Sequence, residues 1–341
     1  MGDSKKRTDL VVAILGATGA VGEEILRVLE ERDFPVGQLR PMASARSAGS
    51  TVELRGTQYT VESIEDADFD GVDLVLSSAG ASVSKAHAHR AVEAGAVVVD
   101  NTSAFRMEPD VPLVVPEVNP EALDDHAGLI ANPNCSTIQM VVALAPLHAV
   151  APIKRVVVST YQSASGAGRA AMDELRDQTV DLLNFRTPKT DVFARRLAFD
   201  CLPHIDRFMP DGDTKEELKM KQETRKIMSL PALPVSATCV RVPVFVGHAL
   251  SVNVEFDGPI TPEQAVAALE SAPGVQVEAD PLSYPMAQDA AGIDDVLVGR
   301  VRVDDSVTHG LNLWVVADNL RKGAATNSVQ IAETLLEAGK L

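Results

Sequence analysis

Leu10-Val11-Val12-Ala13-Ile14-Leu15, followed at once by Gly16-Ala17-Thr18-Gly19-Ala20-Val21-Gly22, is the stretch whose reading decides the fold. An unbroken apolar run of this kind is what a parallel strand buried on both faces requires. Beyond the glycines, Ile25, Leu26 and Leu29 fall on one face of a helix. Glycines between such a strand and such a helix let the backbone approach a pyrophosphate, which then rests on the helix N-terminus. The spacing is G-x-x-G-x-x-G, not G-x-G-x-x-G, and a tight turn without a ligand would use the same residues. Its position after the first buried strand favours the phosphate reading, with Gly16 and Gly19 lining the loop.

Strand and helix signals then alternate as far as Val99. Residues 39–43, 74–76 and 97–99 read as further strands, and 84–93 as a helix closed by Gly95. Residues 51–61 alternate around Arg55-Gly56 as a small hairpin. Alternation of this type predicts a parallel sheet covered on both faces. After residue 134 the pattern changes. Strands are expected over 153–162, 238–245, 251–256, 296–303 and 311–317, the second and third joined by a short turn. Helices are expected over 169–183, 214–227 and 324–338, and another starts at Thr261-Pro262-Glu263-Gln264, which supplies a cap, a first-turn proline and a capping-box glutamine. Strands in tandem indicate a mixed or antiparallel sheet. The expected fold class is α/β. An N-terminal Rossmann-type dinucleotide-binding domain covers residues 1–134, with the C-terminal helix 320–341 returning to it, and an α+β domain with a mixed sheet covers 135–319.

A chain of 341 residues suits two domains and buries enough surface to need no covalent staples. Lys and Arg number 31 against 48 Asp and Glu, a net charge of −17 that repels nucleic acid and anionic membrane; neither is an expected partner. Cys135, Cys201 and Cys239 show no CxxC spacing, so neither a metal site nor a disulfide framework is expected. Cys201 and Cys239 read as packing residues. The basic start of the chain has no apolar core, and Val11 to Leu15 is too short for a signal or a membrane span, which predicts a cytoplasmic protein.

Domains that prefer NAD carry an acid after the second strand, about 20 residues on, to hold the ribose hydroxyls. Here that place reads Ala43-Ser44-Ala45-Arg46-Ser47-Ala48-Gly49, with no acid. A guanidinium flanked by hydroxyls suits a 2′-phosphate, so NADP is the expected cofactor, although a polar surface loop would look the same.

Asn132-Pro133-Asn134-Cys135-Ser136-Thr137 precedes the apolar run 138–147, which places Cys135 at a helix start. Backbone N–H groups and the helix dipole there favour the thiolate. With G-A-T-G-A-V-G upstream, N-P-N-C-S-T resembles the aspartate-semialdehyde dehydrogenases. S-A-R-S-A-G, N-T-S-A-F-R-M, Y-Q-S-A-S-G-A-G and R-V-P-V-F-V-G-H extend the resemblance in order across nearly the whole chain.

The resemblance implies a two-domain enzyme that forms a homodimer or homotetramer, with 135–319 as its catalytic and dimerisation domain. It implies reductive dephosphorylation of 4-phospho-L-aspartate to L-aspartate 4-semialdehyde with NADPH, releasing inorganic phosphate, on the route to lysine, threonine and methionine. Cys135 would form the thioester, His248 would act as general acid and base, and Gln162 would orient the substrate. Arg106 and Lys219 would hold phosphate, with Asn134 or Asn101. Arg241 would bind the substrate carboxylate and Glu216 its amino group. Thr18, Gly19, Ala20, Val21, Arg46, Ser47, Ser165, Gly166 and Asn319 would contact NADP. Glu216 and Lys219 are three apart on a helix, hence on one face, as an ordinary solvated ion pair would also be.

Two rivals remain. N-acetylglutamyl-phosphate reductase performs the same chemistry on a longer N-acylated substrate, but its cysteine motif is closer to N-P-G-C-Y, and an acylated amine gives Glu216 no positive charge to meet. A non-catalytic NADP-binding paralogue would lack the cysteine or the histidine, and both are present here.

Overall fold

The computed structural model describes residues 9–341, so the basic stretch at the chain start lies outside the described residues. The chain divides into two compact units. One runs to Pro133 and resumes at Ala324; the other spans Asn134–Gly323.

In the first unit the opening stretch forms β1 (Leu10–Leu15) and α1 (Ala20–Glu31). There follow β2 (Val36–Ala43), β3 (Thr51–Leu54), β4 (Thr57–Thr60), β5 (Glu62–Ser63), β6 (Leu74–Ser77), α2 (Ala81–Glu93), β7 (Val97–Asp100) and β8 (Leu129–Ala131). Six strands form one parallel sheet in the order β5-β2-β1-β6-β7-β8. The chain steps from β1 to β2 on one side and then crosses to β6 on the other. The carboxyl end of β1 is therefore the point at which an open α/β sheet takes a ligand. β3 and β4 form the expected hairpin, and both turn residues, Arg55 and Gly56, have positive φ, as a two-residue turn of this hand requires. Ile25, Val28 and Leu29 of α1 are fully buried in this unit's core.

The glycine loop is held by its main chain. Gly16 and Ala17 donate their N–H groups to the Met42 carbonyl at 2.8 and 3.1 Å, tying the loop to the end of β2. Gly16 has a φ of +89°. Gly22, in the first turn of α1, is required for a different reason. A Cβ there would lie 2.2 Å from the Gly16 oxygen and 2.8 Å from the Ala17 Cα.

In the second unit α3 (Cys135–Val150), β9 (Ile153–Gln162), α4 (Arg169–Leu183), α5 (Lys215–Ile227), β10 (Val235–Arg241) and β11 (His248–Phe256) come first. They are followed by α6 (Pro262–Glu270), β12 (Val275–Glu278), α7 (Ala287–Ala290), β13 (Val296–Asp304) and β14 (Gly310–Ala317). The sheet order is β10-β9-β11-β14-β13-β12. It is mixed: β10 runs parallel to β9 and β12 to β13, and the remaining pairs are antiparallel. α3 is apolar around its whole circumference, with Ile138, Met140, Val141 and Leu147 fully buried. A helix of that kind must be covered on every side; here β9, β11, β13 and β14 cover it together with α5 and α6. α6 carries the expected capping box and first-turn proline.

The structure corrects three expectations. The strand expected over 238–245 is β10, which ends at Arg241 because Pro243 and the residue before it cannot continue a ladder. β10 and β11 do not pair with each other; they flank β9 on opposite sides, and β11 begins at His248. Cys201 is exposed instead of packed, whereas Cys239 is buried as expected. The last helix opens with a π-helical turn, Arg321–Ala325, before α8 (Thr326–Glu337). α8 packs on α1 and β7 within the first unit, and Arg32 donates to both oxygens of Glu333 at 2.9 and 2.7 Å. Among the described residues no helix is long and apolar enough to cross a membrane, and no cluster of His, Cys, Asp and Glu could hold a metal ion.

Gly22→Ala should destabilise the first unit by about 1–3 kcal/mol, because the clashing atoms are main chain and the loop must shift. Gly258→Ala is the control, since a Cβ there meets nothing within 4 Å. Denaturant unfolding of both variants checks this; equal midpoints would show that the close approach at Gly22 has no energetic weight.

Candidate active site

Asn134 caps α3. Its Oδ1 accepts the N–H groups of Ser136 and Thr137 at 3.0 and 3.2 Å. Cys135 is thereby the first helical residue and is half-buried. At that position the dipole favours an anionic sulfur. Gly323 closes against it: a Cβ on Gly323 would lie 2.8 Å from the Cys135 Cβ.

α5 begins with a capping box between Thr214 and Glu217. Three of its carboxylates are buried and partnered. Glu217 accepts the main-chain N–H groups of Thr214 at 2.6 Å and Cys239 at 3.0 Å. Glu223 accepts the main-chain N–H of Asn134 at 2.6 Å. Glu216 accepts Asn134 Nδ2 at 2.8 Å and Gln162 Nε2 at 3.1 Å on one oxygen, and Lys219 Nζ at 3.0 Å on the other. Burial alone would push the Glu216 carboxyl up. The Lys219 charge and the hydrogen bonds from Gln162, Lys219 and Asn134 outweigh burial and hold it at about 2. Gln162 Oε1 accepts the Thr160 hydroxyl at 3.3 Å, so both ends of this amide are fixed. Lys219 also donates to Asp206 at 3.1 Å.

His248 opens β11 and is fully buried. Gln139, one turn after Cys135 on α3, donates to the His248 carbonyl at 3.1 Å and to that of Val315 at 3.3 Å. The face of α3 that carries the cysteine thus holds the start of β11. His248 Nδ1 accepts the Ser163 main-chain N–H at 3.1 Å, so the neutral ring carries its proton on Nε2. Nε2 is buried with no hydrogen-bond partner among the described residues. Burial, and then the neighbouring Arg241 charge, push the imidazole down to about 3. Asn319 Oδ1 accepts three donors at 3.0 Å each, the hydroxyls of Ser163 and Ser165 and the N–H of Gly247, and so supports the segments on either side of His248.

Arg241 ends β10. It is buried and donates from its guanidinium to the Ser163 carbonyl at 2.7 Å. Gly166 leaves room between these head groups: a Cβ there would lie 2.9 Å from Arg241 Nη1 and 3.1 Å from His248 Nε2. The second unit therefore gathers Cys135, Asn134, Gln162, Glu216, Lys219, Arg241, His248, Ser165, Gly166 and Asn319.

The remaining candidates belong to the first unit. Arg106 is buried, and its guanidinium donates to the carbonyls of Asn132 at 2.9 Å and Asn101 at 2.8 Å. Asn101 Oδ1 in turn accepts Asn132 Nδ2 at 3.0 Å and the Ser328 hydroxyl at 2.8 Å. These groups follow β7 and β8, at the carboxyl edge of the parallel sheet. Gly16, Thr18, Gly19, Ala20 and Val21 form the loop after β1, and no side chain caps α1. Arg46 and Ser47 lie in the turn after β2, Arg46 exposed. Sequence reasoning missed Ser163, Gln139 and Glu223. The signal for Glu223 was its spacing of seven residues from Glu216, which puts both on one helical face; Ser163 lies within the Y-Q-S-A-S-G-A-G stretch but was given no role, and nothing local marked Gln139.

The His248 geometry sets a pH dependence of stability. The unfolded ring binds its proton near 6.5 and the folded ring only near 3. Between those values the unfolded state holds more protons, so stability falls as pH falls, by at most about 1.4 kcal/mol per pH unit. His248→Gln should flatten the slope below the ordinary histidine value relative to the parent. Parallel stability–pH curves for the two proteins would show that His248 is not held neutral by the fold.

Residues 11–126 match the family profile described as semialdehyde dehydrogenase, NAD binding domain, and residues 144–322 match semialdehyde dehydrogenase, dimerisation domain. The aspartate-semialdehyde dehydrogenase of Synechocystis sp. is 52% identical over 332 residues, covering 97% of this chain and 98% of that protein. That of Aquifex aeolicus is 54% identical over 334 residues, covering 96% and 98%. A crystal structure of aspartate semialdehyde dehydrogenase II from Vibrio cholerae, complexed with ASA, superposes with a TM-score of 0.95 at 52% identity, covering 97% of this chain and 99% of that one. With both halves matched by family profiles and relatives above half identity over nearly full length, the chain belongs to the aspartate-semialdehyde dehydrogenase family.

Proposed function

We propose that this chain converts 4-phospho-L-aspartate to L-aspartate 4-semialdehyde with NADPH, through a thioester on Cys135. The observation that carries this reading is the presence in one unit of a half-buried cysteine at a capped helix start and of a buried, neutral histidine whose Nε2 has no hydrogen-bond partner among the described residues. The relatives named above all bear the aspartate-semialdehyde dehydrogenase name, which disfavours the longer N-acylated substrate.

The residues present fit NADP. The uncapped start of α1 and the main-chain cradle of Gly16 to Val21 suit a pyrophosphate, and Arg46 with Ser47 suits a 2′-phosphate where an NAD domain has an acid. Ser165, Gly166 and Asn319 are assigned to the nicotinamide half. The unit ending at Pro133, with the returning α8, is the NADP-binding domain in this reading, and Asn134–Gly323 is the catalytic and dimerisation domain.

The steps follow from the chain's own groups. The Cys135 thiolate attacks the acyl carbon, and the carbon–oxygen bond to phosphate breaks. Arg106 and Lys219 are assigned to the departing phosphate charge. NADPH, when bound, supplies the hydride that brings the thioester carbon to the aldehyde level. His248 donates a hydrogen bond from its Nε2–H to the developing oxyanion, whose electron pair then re-forms the carbonyl as the carbon–sulfur bond breaks, the thiolate returns and the aldehyde leaves. Arg241 offers the rest of its fork to the substrate α-carboxylate. Glu216 already accepts three protein donors, and a carboxylate has about four acceptor sites, so one remains for the substrate ammonium.

Assembly as a homodimer or homotetramer is part of the proposal, supported by the dimerisation-domain match and by exposed apolar side chains such as Leu183 and Phe185. A cytoplasmic setting is also part of the proposal, supported by cysteines spread through the sequence without the spacing of a disulfide framework.

With aspartate semialdehyde and NADP, NADPH should form only when inorganic phosphate is added, and Cys135→Ala should lower the rate by at least about 10⁴-fold. Phosphate-independent turnover, or a Cys135→Ala protein with residual activity near the parent's, would sink the thioester route. Arg46→Ala should weaken NADP by roughly 10- to 150-fold, the loss of one charge-assisted contact, and leave NAD nearly unchanged. Equal losses for both cofactors, measured by titration, would remove Arg46 from the 2′-phosphate.

A further inference from the structure

Glu223 is 1% exposed and lies two turns beyond Glu216 on α5. Its Oε2 accepts the main-chain N–H of Asn134 at 2.6 Å. The same asparagine donates Nδ2 to Glu216 at 2.8 Å and accepts the N–H groups of Ser136 and Thr137 with Oδ1. Asn134 is therefore gripped at its main chain, its amide nitrogen and its amide oxygen. The next residue is Cys135.

We propose that Glu223 is a positioning residue for the nucleophile. It fixes the chain where it enters α3, and through Asn134 it fixes both the helix cap and the direction of the Cys135 sulfur. The proposal rests on Cys135 being the nucleophile. Asn134 is 6% exposed, so water is a poor substitute acceptor for its N–H, and an unanswered buried donor is costly. A carboxylate makes the shorter and stronger bond of the available acceptors. Were it lost, Asn134 would be free to turn. The cap on Ser136 and Thr137 would loosen, and the first turn of α3 would fray around the thiolate it stabilises. Glu216 cannot replace this hold, because it engages only the side-chain end of Asn134.

What matters in this role is the reach of the acceptor, not its charge. Glu223→Asp keeps the charge and shortens the reach by one methylene. Glu223→Gln keeps the reach and removes the charge. The readout is the rate at which iodoacetamide alkylates Cys135, followed by mass spectrometry of the peptide that contains it, together with kcat and KM. In Glu223→Asp, alkylation and kcat should both fall about 10- to 100-fold, the usual consequence of a misplaced reacting atom, with KM for the semialdehyde nearly unchanged. Glu223→Gln should recover both rates to within about fivefold of the parent, the difference between a charged and a neutral acceptor. A Glu223→Asp protein with parental rates would overturn the proposal, and so would a Glu223→Gln protein as slow as Glu223→Asp. A lowered melting temperature with unchanged alkylation would assign Glu223 a purely structural role and overturn it as well. Because alkylation of Cys135 is read without turnover, these outcomes stand apart from failure of the thioester reading, which Cys135→Ala tests separately.

Discussion

A carboxylate kept ionised out of water is the interaction on which the second unit's chemistry depends. Glu216 is 5% exposed. Left alone there it would take up a proton, because burial disfavours the charged form. The ammonium of Lys219 at 3.0 Å and the amide donors of Asn134 and Gln162 reverse that preference. The same three contacts join separate elements. Asn134 belongs to the start of α3, Gln162 to the end of β9, and Glu216 with Lys219 to α5. Removing one partner of such a buried pair typically costs about 3–5 kcal/mol, because the other charge is left unanswered. The cap of α3, the Gln162 amide and the Lys219 ammonium are thus tied to one charge.

The opposite requirement operates at His248. The hydrogen bond proposed from its Nε2–H to the substrate oxyanion calls for a neutral ring. Burial first, and the Arg241 charge second, keep it so, while Glu216 pulls weakly the other way. The Ser163 N–H then selects which nitrogen holds the proton. Arg241 itself is eased down by burial and held up by Glu216. In a chain of net charge −17, the buried Glu216 carboxylate thus acts on both Lys219 and Arg241. Cys239 is pushed up by burial and by Glu216, which disfavours its thiolate.

Much of this arrangement was legible before any coordinates. The apolar run 10–15, its glycines and the amphipathic helix carry strong local signals, and all three formed as read. Cys135 at a helix start and the Glu216–Lys219 spacing were equally local. What escaped depends on tertiary packing. β5, β8 and β12 are two to four residues long, too short for a periodic pattern. β10 and β11 look like a hairpin in the sequence, yet β9 separates them, since pairing partners are set by the sheet and not by adjacency. α5 is polar around most of its surface and reads as a solvated helix. Its carboxylates are buried because α3, apolar on every side, must be covered and α5 is one of its covers. The roles of Ser163 and Asn319 toward His248 are long-range hydrogen bonds that no spacing rule predicts.

The most direct measurement is the titration of the Glu216 carboxyl, followed by carbon NMR in protein labelled at the glutamate side-chain carbonyls and assigned by comparison with Glu216→Gln. The expected resonance is that of an ionised carboxylate throughout the folded range, moving only as pH approaches about 2. A Glu216 that takes up its proton at or above the ordinary value of 4.5 would contradict the buried charge as the organiser of the site.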